Sequence, residues 1–126
     1  MWHRIWTTFG ALWVVAIIYL SLAPHPPQLM QFGNADKLEH ALAYSLLMLW
    51  FCQCYPRQRI LTALLLALMG AALEILQGLS GYRSFEYADM LANTAGVILG
   101  WLAAHTMLGR MRQALENRFT LNGRTP

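Results

Sequence analysis

Charge is scarce in this chain. Only 12% of its 126 residues are Asp, Glu, Lys or Arg, where a soluble domain carries about 25%. The 57% that are hydrophobic have too little polar surface to cover them in water, so lipid is the expected solvent. Apolar–polar alternation over strand-length windows is also missing, which excludes a transmembrane β-barrel and leaves helices as the spanning option. Cysteine is limited to Cys52 and Cys54. At i, i+2 on a helix these two point to different faces, too far apart to share a metal, and they read as small apolar fillers in a reducing compartment. No Ser or Cys nucleophile motif and no recognised metal-ligand spacing occurs. The net charge of +3 raises the question of nucleic acid. The arginines are spread along the chain rather than gathered on one stripe, so no nucleic-acid partner is expected.

What the chain does have is long apolar runs. Residues 5–22, 38–55, 60–79 and 89–108 each approach the roughly 20 residues that cross about 30 Å of hydrocarbon. The expected fold is all-α: a polytopic membrane protein with a compact four-transmembrane-helix bundle over residues 1–109 and a basic cytoplasmic tail over 110–126. Arg4, Arg57, Arg59, Arg110, Arg112, Arg118 and Arg124 fall on one side of such a bundle, and only Lys37 and Arg83 on the other. By the positive-inside rule both termini and the middle loop are cytoplasmic. The first apolar run is longer than a signal-peptide core and lacks a good cleavage site, so a retained helix is expected. Trp2, Trp6 and Trp13 suit an interfacial, lipid-facing role for it. The tail has little apolar surface, and most of it is expected to be loosely ordered near anionic inner lipids.

Polar residues inside these runs are costly and need a reason. Asp89, Asn93, Gly96 and Gly100 recur at i, i+4, i+7 and i+11 and share one helical face. Gly96 and Gly100 make the small-xxx-small pattern of close helix packing, which leaves a homo-oligomer open. Asp36, His40 and Tyr44 share a face of the second helix, with Asp36 and Glu39 at capping-box spacing. Asp36 is thus a candidate N-cap, and Ser84 one for the fourth helix. Glu74 and Gln77 lie near the end of the third helix, before a glycine-containing loop at 78–84. Arg83, in that loop, presents a planar fork suited to a carboxylate or a phosphate, with Glu86 and Asp89 as candidate salt-bridge partners. His40 and His105 lie at different depths and cannot clamp one haem, so no cofactor is expected.

Two segments together resemble the VanZ-like membrane protein family. One is Asp36-Lys37-Leu38-Glu39-His40-Ala41-Leu42-Ala43-Tyr44. The other runs from Glu74-Ile75-Leu76-Gln77 through Arg83-Ser84-Phe85 to Asp89-Met90-Leu91-Ala92-Asn93-Thr94-Ala95-Gly96. The resemblance covers about residues 36–100, the first helix and tail matching only in hydropathy. It implies a multi-pass protein of the bacterial inner (cytoplasmic) membrane. The family's namesake is associated with lowered susceptibility to teicoplanin, a lipoglycopeptide antibiotic.

The polar residues collect on the outer side of the expected bundle, whereas independent structural needs would scatter them over both ends. Three functions compete. The first is a pocket for an anionic envelope lipid or a lipid-linked cell-wall intermediate, made from Asp36, Lys37, His40, Tyr44, Glu74, Gln77, Arg83, Ser84, Asp89 and Asn93. Arg83, Lys37 and the helix N-termini would attract phosphate. The second is an enzyme acting on such a lipid, with His40 or Glu74 as general base, Asp89 orienting it, or His40, Glu74 and Asp89 around a divalent metal. The third is a structural or assembly factor whose polar network joins helices.

Overall fold

Residues 2–25 and 33–122 are described in the computed structural model. Pro26 and Pro27 of the first outer loop, and Arg124 of the tail, lie outside the described residues. The described residues form helices α1 (Trp2–Leu22), α2 (Ala35–Cys54), α3 (Arg59–Leu79) and α4 (Tyr87–Ala103). A 3-10 turn, Met107–Arg110, leads into α5, Met111–Asn122. No strand occurs among the described residues.

Two of these helices are long and apolar enough to cross a membrane by themselves, Trp2–Leu22 and Arg59–Leu79. A third span results if Tyr87–Ala103 and Leu108–Phe119, bent by 74° at their break, count as one. The expected count was four. Helix α2 falls short because Asp36, Lys37 and Glu39 dilute its first turn. Helix α4 has 17 residues, about 25 Å of rise, and then turns aside.

Helix α2 is the hub. Leu47, Met48 and Cys52 on it are the centre of the core, and its most extensive packing is with α4. The reason is the glycine pair of α4. A Cβ at Gly96 would fall on the Ala41 carbonyl oxygen, and one at Gly100 on that of Ser45. Bare backbone on α4 therefore lies directly on backbone of α2, as the small-xxx-small spacing predicts.

Helix α1 covers α2 less completely and exposes Phe9, Leu12, Val15 and Tyr19. Trp6 and Trp13 both pack against α2, Trp13 only partly buried. Trp6 is buried and stacks on Trp50 at 4.1 Å between ring centroids, and the Trp50 indole donates to the Trp6 carbonyl at 2.9 Å. Trp13 meets the same ring edge-on. An aromatic cluster between α1 and α2 buries more ring surface than single tryptophans at an interface would. Cys52 and Cys54 are free and buried, as fillers should be.

The tail differs from expectation, since Met111–Asn122 is helical. Its first turn is held by Gln53 of α2, whose side-chain oxygen accepts from the Arg112 amide at 2.8 Å. Arg112 also pairs with Glu116 at 3.2 Å, and Phe119 packs on Trp2. A buried glutamine that satisfies an otherwise orphan helix N–H gives this short segment its anchor.

Candidate functional site

The N-terminal ends of α2 and α4, the C-terminal end of α3 and the loop after it bring most of the candidate residues together. At the outermost level Lys37 sits among three carboxylates. Its ammonium donates to Glu86 Oε2 at 2.7 Å, to Asp36 Oδ2 at 2.8 Å and to Asp89 Oδ1 at 2.9 Å. Asp36 and Glu86 are half exposed, whereas the Asp89 side chain is only 5% exposed. The Asp36, Glu86 and Asp89 carboxylates, in that order, hold the Lys37 pKa above the ordinary lysine range. Lys37 in turn holds the Asp36 carboxyl below its usual value. The lysine lies ahead of the apolar run of α2 and remains charged.

This arrangement departs from the sequence reading in four ways. Asp36 is not the N-cap of α2. The cap is Asn34, in the left-handed region at φ 62°, without a side-chain cap bond. Asp36 is inside the first turn, and its carboxylate goes to the neighbouring Lys37 ammonium instead of a backbone amide. Ser84 does not cap α4 either: Glu86 is the cap residue, and the Ser84 hydroxyl reaches Glu86 Oε1 at 3.4 Å. Arg83 pairs with neither Glu86 nor Asp89, because Lys37 takes both. It is half-buried and has no hydrogen bond or ion pair among the described residues. Finally, the acids whose oxygens converge are Asp36, Glu86 and Asp89, all within 4.8 Å of one another, rather than the set of His40, Glu74 and Asp89. The Lys37 ammonium fills that place.

One turn deeper, His40 is held between two α4 side chains. Its Nδ1 is 3.0 Å from Asn93 Oδ1 and its Nε2 is 3.8 Å from Asp89 Oδ2. Glu74 of α3 is 1% exposed. Its Oε1 accepts the Glu86 amide at 2.7 Å, so a carboxylate of α3 meets the positive end of the α4 dipole. Tyr44 is buried beside this group, and the notch at Gly70 brings it and Asn93 against α3.

Gln77 points elsewhere, to the end of α1, where its amide donates to the Ser21 carbonyl at 2.7 Å. That carbonyl belongs to the last turn of α1, which has no intrahelical donor left for it. Gln77→Leu should therefore cost about 1–3 kcal/mol, read as a lower unfolding temperature in detergent. An unchanged midpoint would mean that Ser21 finds another donor.

Two residues escaped the sequence reading of the site. Glu86 entered the sequence reading only as a candidate partner of Arg83 and not as a member of the site. Its signal was its position three residues before Asp89, one turn away on the same face. Gly70 carried a signal too, one turn before Glu74 on its buried face. Two apolar grooves open away from the cluster, one along Val15, Tyr19 and Leu22 of α1, the other between Val14, Phe51 and Leu65. Both suit lipid chains better than polar ligands.

Apolar helices with wide lipid-facing surfaces, joined at one end by a buried polar network, define a helical membrane protein. The chain belongs to the VanZ/LLP1 family, whose model matches residues 3–108. The match reaches beyond the two motif segments to include α1. No curated protein and no solved structure matches the chain.

Proposed function

We propose that this protein spans the bacterial inner membrane four times with both termini cytoplasmic. Its polar cluster, at the outer-leaflet end, binds the phosphate of an anionic envelope lipid or lipid-linked cell-wall intermediate. Through that lipid it alters susceptibility to lipoglycopeptides such as teicoplanin. The central place of α2 supports a four-span reading, since a helix buried by its neighbours tolerates charge better than one facing lipid. The 17 residues of α4 fall only a little short of the hydrocarbon thickness, a mismatch that local thinning accommodates.

The observation that carries the binding reading is the contrast between two cations. Lys37 is consumed by three carboxylates. Arg83, close in sequence to Glu86, is half-buried and unpaired among the described residues. A guanidinium fork of this kind takes a phosphate bidentately, and the adjoining N-terminus of α4 favours the same charge.

His40 supports the enzyme as a second reading. An imidazole held at Nδ1 by Asn93, with its Nε2 edge turned toward Asp89 at 3.8 Å and not hydrogen-bonded, has the orientation and the free nitrogen that a general base needs. One experiment separates the two. The purified protein is incubated with undecaprenyl-phosphate-linked precursors and examined by native mass spectrometry. Retention of unchanged lipid, weakened about 10–100-fold in Arg83→Ala, is the expected result. A lipid of altered mass that depends on His40 or Glu74 would establish the enzyme. No complex and no conversion would leave the network a structural role.

A further inference from the structure

Two buried polar atoms within the cluster have no hydrogen-bond partner among the described residues: Glu74 Oε2 and the Tyr44 hydroxyl oxygen. Their residues are 1% and 2% exposed, so bulk water does not serve them. They come from two helices, Glu74 from α3 and Tyr44 from α2. Gly70 makes their approach feasible. A Cβ there would lie 3.2 Å from Tyr44 Cε1 and 3.1 Å from Asn93 Nδ2. The other Glu74 oxygen is committed to the Glu86 amide, and Asn93 Oδ1 to His40.

The chemistry of the gap is specific. A carboxylate oxygen is an acceptor only, and the phenol oxygen accepts as well as donates, so the group that completes the pair must be a donor. Acids outnumber the ammonium here: Asp36, Glu86 and Asp89 all bond Lys37, and Glu74, bonded to the Glu86 amide, has no cation paired with it among the described residues. A hydroxyl would bring one donor and no charge. A primary ammonium brings three donors, no acceptor and a positive charge. It satisfies both orphan atoms and offsets the acidic surplus.

We propose that Glu74 and Tyr44 receive the primary ammonium of a phospholipid headgroup whose phosphate is held by Arg83. The ligand class is then a zwitterionic aminoalkyl phospholipid, its phosphate at the mouth of the site and its ammonium within, which keeps the phosphate of the reading above but not a net anionic lipid. This inference rests on the phosphate-binding reading above and adds the second half of the headgroup. Lys37 ties the ends of α2 and α4 together nearer the surface than Tyr44.

The test is a titration of the full chain in detergent with phosphatidylethanolamine and with phosphatidic acid of the same acyl chains, the complexes being counted by native mass spectrometry. The two lipids differ by the aminoethyl group alone. Wild-type protein is expected to prefer phosphatidylethanolamine by about tenfold or more. Tyr44→Phe and Glu74→Gln should each bring the two lipids close to equality. Tyr44→Phe removes a hydroxyl that has no partner among the described residues, so its fold should persist. Arg83→Ala should weaken both lipids together. Equal binding in wild type overturns the proposal, as does a preference that survives both Tyr44→Phe and Glu74→Gln. In either case Arg83-dependent binding of both lipids leaves the phosphate reading standing. Failure of both lipids to bind removes the two readings together.

Discussion

Lys37→Met should destabilise the protein by about 3 kcal/mol, because it strands one buried carboxylate. The three partners of Lys37 are not equal. Asp36 and Glu86 have side chains 46% and 44% exposed and can turn to solvent once the ammonium is gone, so each contributes no more than a surface pair. Asp89 has a side chain 5% exposed and cannot. The His40 ring, 3.8 Å away, is an ion-pair partner only if protonated. The cost of the mutation therefore concentrates on Asp89, and the prediction has a sharper second half. Asp89→Asn in the Lys37→Met background should recover most of the loss, while Asp36→Asn should recover little. Thermal unfolding of the four proteins in one detergent makes the comparison. Equal recovery by Asp36→Asn and Asp89→Asn would show that mutual repulsion of the acids, rather than burial of Asp89, sets the cost.

The row Asp89, Asn93, Gly96, Gly100 was legible in the sequence because a helix face is a local property. It follows from 3.6 residues per turn, and all four positions are buried. The partner of that row was not legible, and the misplaced salt bridge follows from this. Arg83 lies three residues from Glu86, which makes it the natural partner when α4 is considered alone. The structure instead lays α4 on α2, and the glycines set the register. Gly96 meets Ala41 and Gly100 meets Ser45, so the two helices run parallel. One turn back from Ala41 is Lys37, and it arrives beside Asp89. The acid is thus claimed by a residue 52 positions away rather than by its neighbour in the loop. The same limit applies at the other end. Trp6 and Trp13 were assigned to lipid by residue type, and the helical tail was read from its few apolar residues. Both are decided by partners on α2, Trp50 and Gln53, which no local pattern announces.

Gly96 and Gly100 carry the second large prediction, and here the expected sign is opposite to that of helix propensity. In an ordinary helix interior Gly→Ala stabilises by roughly 1 kcal/mol. At these positions it should destabilise by about 1–3 kcal/mol, and Gly96→Leu or Gly100→Leu should prevent assembly of the native bundle. The difference lies in what the new atom meets. A Cβ at Gly96 falls on the carbonyl of Ala41, and one at Gly100 falls on that of Ser45 and within 2.8 Å of Met48 Cβ. Backbone of a buried helix cannot rotate away, so α2 and α4 must separate. Gly10 of α1 is the internal control. Its Cβ would face the Phe51 ring at 2.9 Å and the Trp50 ring at 3.1 Å, and side chains can give by small rotations, so Gly10→Ala should cost less. Separation of α2 from α4 also draws Lys37 from Asp89 and His40 from Asn93. Gly96→Ala should therefore weaken lipid retention as well as lower the unfolding temperature, although Gly96 itself carries no polar group. A Gly96→Ala protein more stable than wild type would mean that the two backbones do not touch, and the register that brings the polar residues together would then need another cause.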